Sequence, residues 1–142
     1  MIKKIIIFAL LTTSAFVLHA GKHKKNADNL PLLNTKWILV EVFKNHVVQG
    51  IDTAFITFYD TYKLSGNLGC NLFFGEFSFG KKRMKIDYLG ATKKYCFDMR
   101  LEEQFAKALR SDINRYYIEK NKLYLLFQNK TICKFEGVAS SK

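Results

Sequence analysis

Through most of this chain, apolar and polar positions change places in short runs with a period near two, not 3.6. Residues 35–43 open the pattern and are apolar on both faces, with Trp37, Leu39 and Phe43 on one side and Ile38, Val40 and Val42 on the other. Lys44, Asn45 and His46, then Gln49 and Gly50, interrupt it. Residues 54–59 form a second run ended by Asp60, and residues 62–68 a third, weakened by Gly66. Residues 75–79 alternate strictly, which puts Phe77 and Phe79 on one face. Residues 80–83 read as a turn and residues 84–90 as a fifth strand. Three further strands are predicted at residues 115–119, 122–128 and 131–136, separated by the turn signals Asn121 and Asn129-Lys130.

One segment breaks the period. Leu101, Phe105, Ala108 and Leu109 recur at helical spacing and make a single apolar stripe. Asp98 suits the N-cap, because its carboxylate can accept from the first free amides. Glu102 and Glu103 follow near the positive end of the helix dipole, and Arg110 sits near the negative end. The pattern is strands, one helix, then strands. Successive short strands pair antiparallel, and a first strand that is apolar on both faces must be covered twice. The predicted fold is therefore mainly β (α+β), a small curved antiparallel sheet or partly open β-barrel with one α-helix packed across a face or mouth.

The ends have a different character. Residues 1–20 read as a secretory signal peptide: Lys3 and Lys4 precede a hydrophobic run, and Ala20 offers a cleavage point before Gly21, with Ala15 as the second choice. The run is short and broken by hydroxyls, which favours a cleaved leader over a membrane-spanning anchor. No Cys lies near the cleavage region, so a lipid-anchored terminus is not expected. Residues 21–33 are expected to be a flexible basic linker, 34–137 the folded domain and 138–142 a disordered tail. The protein is expected to be exported, to the periplasm or beyond.

Composition sharpens this in two ways. The 142 residues are 49% hydrophobic and 15% aromatic, which excludes disorder as the main state and supplies a real core. The formal charge is +11, with basic residues gathered at Lys81, Lys82, Arg83 and Lys85 and again at Lys93 and Lys94. An exported basic protein meets anionic envelope surfaces first, so these six form a candidate anionic-surface rim. The bland reading is a solvated rim that only aids solubility. Basic residues among aromatics also suit single-stranded nucleic acid, but export places nucleic acid out of reach.

Two local patterns carry candidate chemistry. Gly69-Cys70-Asn71 with Gly75 is one, and Thr92-Lys93-Lys94-Tyr95-Cys96 before the helix is the other. The glycines permit positive φ or close backbone approach, and Asn71 can satisfy turn amides with its side chain. With these residues the chain resembles the META domain family, which includes the heat-inducible HslJ proteins of bacterial envelopes. The opening residues 37–39, the motif residues Gly69, Cys70, Asn71, Gly75, Thr92 and Cys96, the helix residues Glu102 or Glu103, Phe105 and Leu109, and the late residues 123–125 carry the likeness. The resemblance implies a small antiparallel β fold with one helix, an envelope or secreted setting often linked to stress, and no enzyme activity.

Cys70 and Cys96 have two readings. Export allows them to pair as a disulfide, which is preferred, and the alternative is two separately buried thiols at tight turns. Cys133 shares a face with Phe135 and reads as a buried core thiol.

Other site types find little support. His23 and His46 have no partners at metal-ligand spacing, and no Cys-His signature, phosphate loop or serine elbow is present. Asp52, Asp60 and Asp87 are scattered. No enzyme activity and no cofactor are expected. The leading reading is a monomeric, non-enzymatic, stress- or envelope-related protein that contacts a protein or an anionic surface, with peripheral membrane contact allowed. The alternatives are a lipid or small-molecule carrier using the barrel interior, or a secreted inhibitor presenting residues 71–74 or 81–85.

Overall fold

The structure is a computed structural model and describes residues 29–48 and 53–138. The chain runs β1 (Lys36–Val42), β2 (Asn45–His46), β3 (Phe55–Phe58), β4 (Lys63–Asn67), β5 (Leu72–Phe79), β6 (Met84–Ala91), α1 (Arg100–Leu109), β7 (Arg115–Glu119), β8 (Lys122–Phe127) and β9 (Lys130–Val138). All strand pairs are antiparallel, in the order β6-β5-β4-β3-β1-β9-β8-β7, with β2 paired to β1 alone. The two ends of this sheet meet at one corner. Arg83 bridges to Arg115, the Met84 amide donates to the Asn114 carbonyl at 3.3 Å, and the Tyr116 amide donates to the Lys82 carbonyl at 3.2 Å. The sheet is thus a nearly closed barrel, mainly β with one packed helix, as the pattern predicts.

Alternation decides what lies inside. Trp37, Ile56, Phe58, Leu64, Phe73, Phe77, Leu123, Leu125 and Phe135 are all buried. Inward-facing rings meet at productive geometries, Phe58 edge-on to Phe77 at 4.9 Å between centroids. On α1, Phe105, Ala106, Ala108 and Leu109 are buried. Phe105 lies edge-on to Phe73 of β5 at 5.7 Å and within 5.9 Å of Phe135 of β9. Three strands separate β5 from β9, so one side chain of the helix ties together distant parts of the barrel wall.

Several expectations need correction. The pairing of β1 with β9 shifts between Leu39 and Glu41, so Val40 is the extra residue of a bulge. This moves Val42 to the inner face beside Trp37 and Leu39, and leaves Phe43 only half-buried. Phe43 instead enters a tight turn with Lys44, both at positive φ, and the expected interruption there holds the short strand β2. The same two-residue hairpin geometry, positive φ at both central positions, recurs at Lys120-Asn121 and Gln128-Asn129. Residues 72–74, expected outside the strand, begin β5. Met99, not Asp98, caps α1, although the Asp98 carboxylate still accepts from the Arg100 amide at 3.0 Å.

The domain also starts earlier than residue 34. Leu32 is buried, and its carbonyl accepts the Trp37 indole N–H at 3.0 Å. Leu33 bridges to Phe58, and the Leu30 amide donates to Asn121 Oδ1 at 2.8 Å. Residues 29–33 are therefore part of the fold, and Val138, expected in the tail, ends β9. The leader, residues 21–28 and residues 139–142 lie outside the described residues.

Candidate functional site

The turn that leads into β5 carries a buried asparagine. Asn71 is 1% exposed, and every polar atom of its side chain is engaged. Its Oδ1 accepts from Thr92 Oγ1 and from the Lys94 amide, each at 2.7 Å. Its Nδ2 donates to the Lys94 carbonyl at 3.0 Å and to Glu102 Oε1 at 2.9 Å. A carboxylate and a carbonyl can only accept, and a main-chain amide can only donate, so the side-chain amide has one orientation here. The Asn71 main-chain amide adds a bond to Glu102 Oε2 at 2.8 Å, and Thr92 Oγ1 also accepts from the Leu72 amide at 3.2 Å. Three segments converge on one side chain: the turn before β5, the strand end after β6 and the first turn of α1.

A covalent tie reinforces the same junction. Cys70 and Cys96 form a disulfide with their Cα atoms 6.2 Å apart. Gly69 holds φ at +112°, and a Cβ there would press on Leu101 of α1 at 3.2 Å. Gly75 solves a different problem, since a Cβ would lie 2.5 Å from the Asp87 carbonyl where β5 and β6 shift register. Cys133 is buried, and burial pushes its thiol well above the usual range, as suits a core residue. Just past the disulfide, Asp98 pairs with Arg100 at 2.7 Å, and that hydrogen bond lowers the carboxyl pKa to about 2.

The six candidate basic residues are all exposed, but they do not form one rim. Lys81, Lys82, Arg83 and Lys85 lie at the start of β6 and Lys93 and Lys94 beyond its end. Lys93 follows Lys85 by eight positions, about 27 Å of extended strand at 3.4 Å per residue. Lys85 is partly neutralised by Asp87 at 3.0 Å. Lys82 and Arg83 gain a neighbour that sequence distance concealed: Arg115 lies across the seam and lines a cleft of about 580 Å³ with them and Asn114.

The META domain profile matches residues 30–139. The chain belongs to the META domain family. Two solved structures share its fold. One, an NMR structure of a protein, is 21% identical with a TM-score of 0.57, covering 72% of this chain and 87% of its own. The other, an NMR structure of a protein from Burkholderia xenovorans, is 20% identical with a TM-score of 0.60, covering 75% and 83%. No curated protein matches the chain.

Within this META domain, the motif residues Gly69, Cys70, Asn71, Thr92 and Cys96 meet as one structural clamp, and Gly75 acts apart from them at the β5–β6 register shift. Of the two glutamates left open by the resemblance, Glu102 is the one that joins the clamp. Among the described residues every buried side-chain nitrogen or oxygen has a hydrogen-bond partner, and no three His, Cys, Asp or Glu residues stand within reach of one metal ion. Exposed apolar side chains stand beside the clamp, and of these Tyr95 and Phe97 are not among the contact residues expected from sequence. Tyr95 and Phe97, either side of Cys96, are almost wholly exposed, and Leu72 and Phe74 face outward on β5. The signal was present in the β5 alternation, since Leu72 and Phe74 fall out of phase with Phe73 and Phe77.

Proposed function

We propose that this META domain protein is exported and works without catalysis, by contacting anionic surfaces of the cell envelope through its basic exterior. One observation carries the reading: the polar groups that mark the family are spent on holding the turn, strand end and helix together, while the six candidate basic side chains face solvent. A disulfide between Cys70 and Cys96 suits an oxidising compartment. The leader-like residues 1–20 and the formal charge of +11 point the same way. The interior packed by Phe58, Phe73, Phe77, Phe105 and Phe135 favours contact from outside over carriage of a ligand within.

The test is co-sedimentation of the purified, oxidised protein with phosphatidylglycerol-containing vesicles across a salt series, beside pure phosphatidylcholine vesicles. Binding to the anionic vesicles at low salt that weakens as salt rises is expected, because exposed charges are screened within a Debye length. Absence of binding at low salt overturns the reading, and so does binding that ignores salt. Fractionation of cells expressing the full chain tests export, with a mature terminus near Gly21 expected and intact protein in the cytosol contradicting it.

A further inference from the structure

Tyr95 is 92% exposed and Phe97 103%, more than any other large apolar side chain among the described residues. They flank Cys96, which is bonded to Cys70 in the buried clamp turn. The rings are thus held out on a short loop whose root is fixed covalently and by the Lys94 main chain, which both donates to and accepts from Asn71. A loop already ordered loses little entropy on binding. A second segment presents apolar surface beside it: Val48, 89% exposed, borders Asp98 and Arg100, as does Phe97.

The charges nearby select the partner. Lys93 and Lys94 are exposed, and among the described residues neither belongs to an ion pair. The acid within the loop, Asp98, is already matched by Arg100, and the Glu102 carboxylate is turned inward onto Asn71, which leaves Glu103 as the exposed opposing charge beside the loop. Fixed aromatic rings beside exposed lysines complement a layer that offers phosphate charge outside and hydrocarbon just beneath. We propose that the 93–97 loop is a membrane-contact tip, which seats Tyr95 and Phe97 among the headgroups of an anionic phospholipid bilayer while Lys93 and Lys94 engage the phosphates. This rests on the anionic-surface reading above and names the element and the surface.

The experiment uses F97W in the full, oxidised protein. The native Trp37 is completely buried and provides a constant background. On adding vesicles of phosphatidylglycerol and phosphatidylethanolamine, the introduced indole should shift to shorter wavelength and be quenched by brominated acyl chains. Tyr95→Ser with Phe97→Ser should weaken vesicle affinity by about tenfold or more, the scale expected for losing two partly buried rings. The thermal midpoint should stay unchanged, because both rings are exposed. Sedimentation with vesicles without any shift of the introduced indole overturns the tip and leaves the broader reading standing. Failure to sediment at low salt overturns both. A shift that follows protein concentration without lipid assigns the loop to a second copy of the chain, and also overturns the proposal.

Discussion

Asn71 and Glu102 lie 31 positions apart, yet one carboxylate accepts from both the main-chain amide and the side-chain amide of that asparagine, at 2.8 and 2.9 Å. This pair joins the start of α1 to the turn before β5. It also restricts what position 71 can tolerate. Asn71→Ala should destabilise the fold by about 3 kcal/mol, because it takes one of the two donors from Glu102 and the Asn71 partner from both the Lys94 amide and carbonyl. Asn71→Asp should cost more despite its matching shape, since it sets two carboxylates face to face. Adding Glu102→Gln should recover part of that loss. Denaturant unfolding of the four chains checks the order, and an Asn71→Asp variant as stable as the parent would break the argument.

The disulfide makes two countable statements. Denatured, unreduced protein should show one reactive thiol, Cys133, and the native protein none, because Cys133 is buried and its thiol is held in the neutral form. Replacing both Cys70 and Cys96 by Ala should lower stability by about 3.5 kcal/mol, the chain-entropy figure for bridging residues 26 apart. Mass-resolved alkylation reads the first and chemical unfolding the second.

Phe105 links β5 and β9 through the helix, so its loss should be felt across the barrel. Phe105→Ala is expected to cost about 4 kcal/mol, within the range for deleting a buried ring. Phe97→Ala, on an exposed ring, should cost almost nothing, and this contrast is measured by thermal unfolding of the two variants.

One hairpin can be improved. Gln128 holds φ at +47° in a two-residue turn that prefers Asn or Gly, so Gln128→Gly should stabilise by about 0.5 kcal/mol once the added freedom of the unfolded chain is counted. Asn129 is better left alone, because its Oδ1 accepts from Arg115 at 2.8 Å.

What sequence can reveal here follows from range. The alternation that buries Phe77 and the stripe that buries Phe105 and Leu109 are local, and both are readable. The Asn129 turn signal is local too. The bulge at Val40 is not, because it is a property of pairing with β9 and shows only as Val42 and Phe43 exchanging roles. Residues 72–74 read as part of a motif because Gly69 and Gly75 bracket them and the strict alternation is plainest from Gly75 onward. In the fold Gly75 is the residue that lets β5 approach β6. Arg115 sits 32 positions from Arg83 and joins its cluster only through barrel closure. The leucines at 30, 32 and 33 were visible apolar signals, outweighed by the polar residues around them.

Throughout, the motif side chains Asn71, Thr92, Cys70 and Cys96 build the scaffold, while exposed side chains set between and around them make contact with the envelope. Thr92→Val separates the two, because it removes the hydroxyl that serves Asn71 and Leu72 and leaves every basic side chain in the sequence. The most direct measurement is the affinity of this variant for anionic vesicles, taken below its unfolding temperature. Affinity equal to the parent's, in a protein less stable by about 1 kcal/mol, is the predicted result. Lost affinity in a protein of undiminished stability would contradict the account, since it would make the motif itself the binding site.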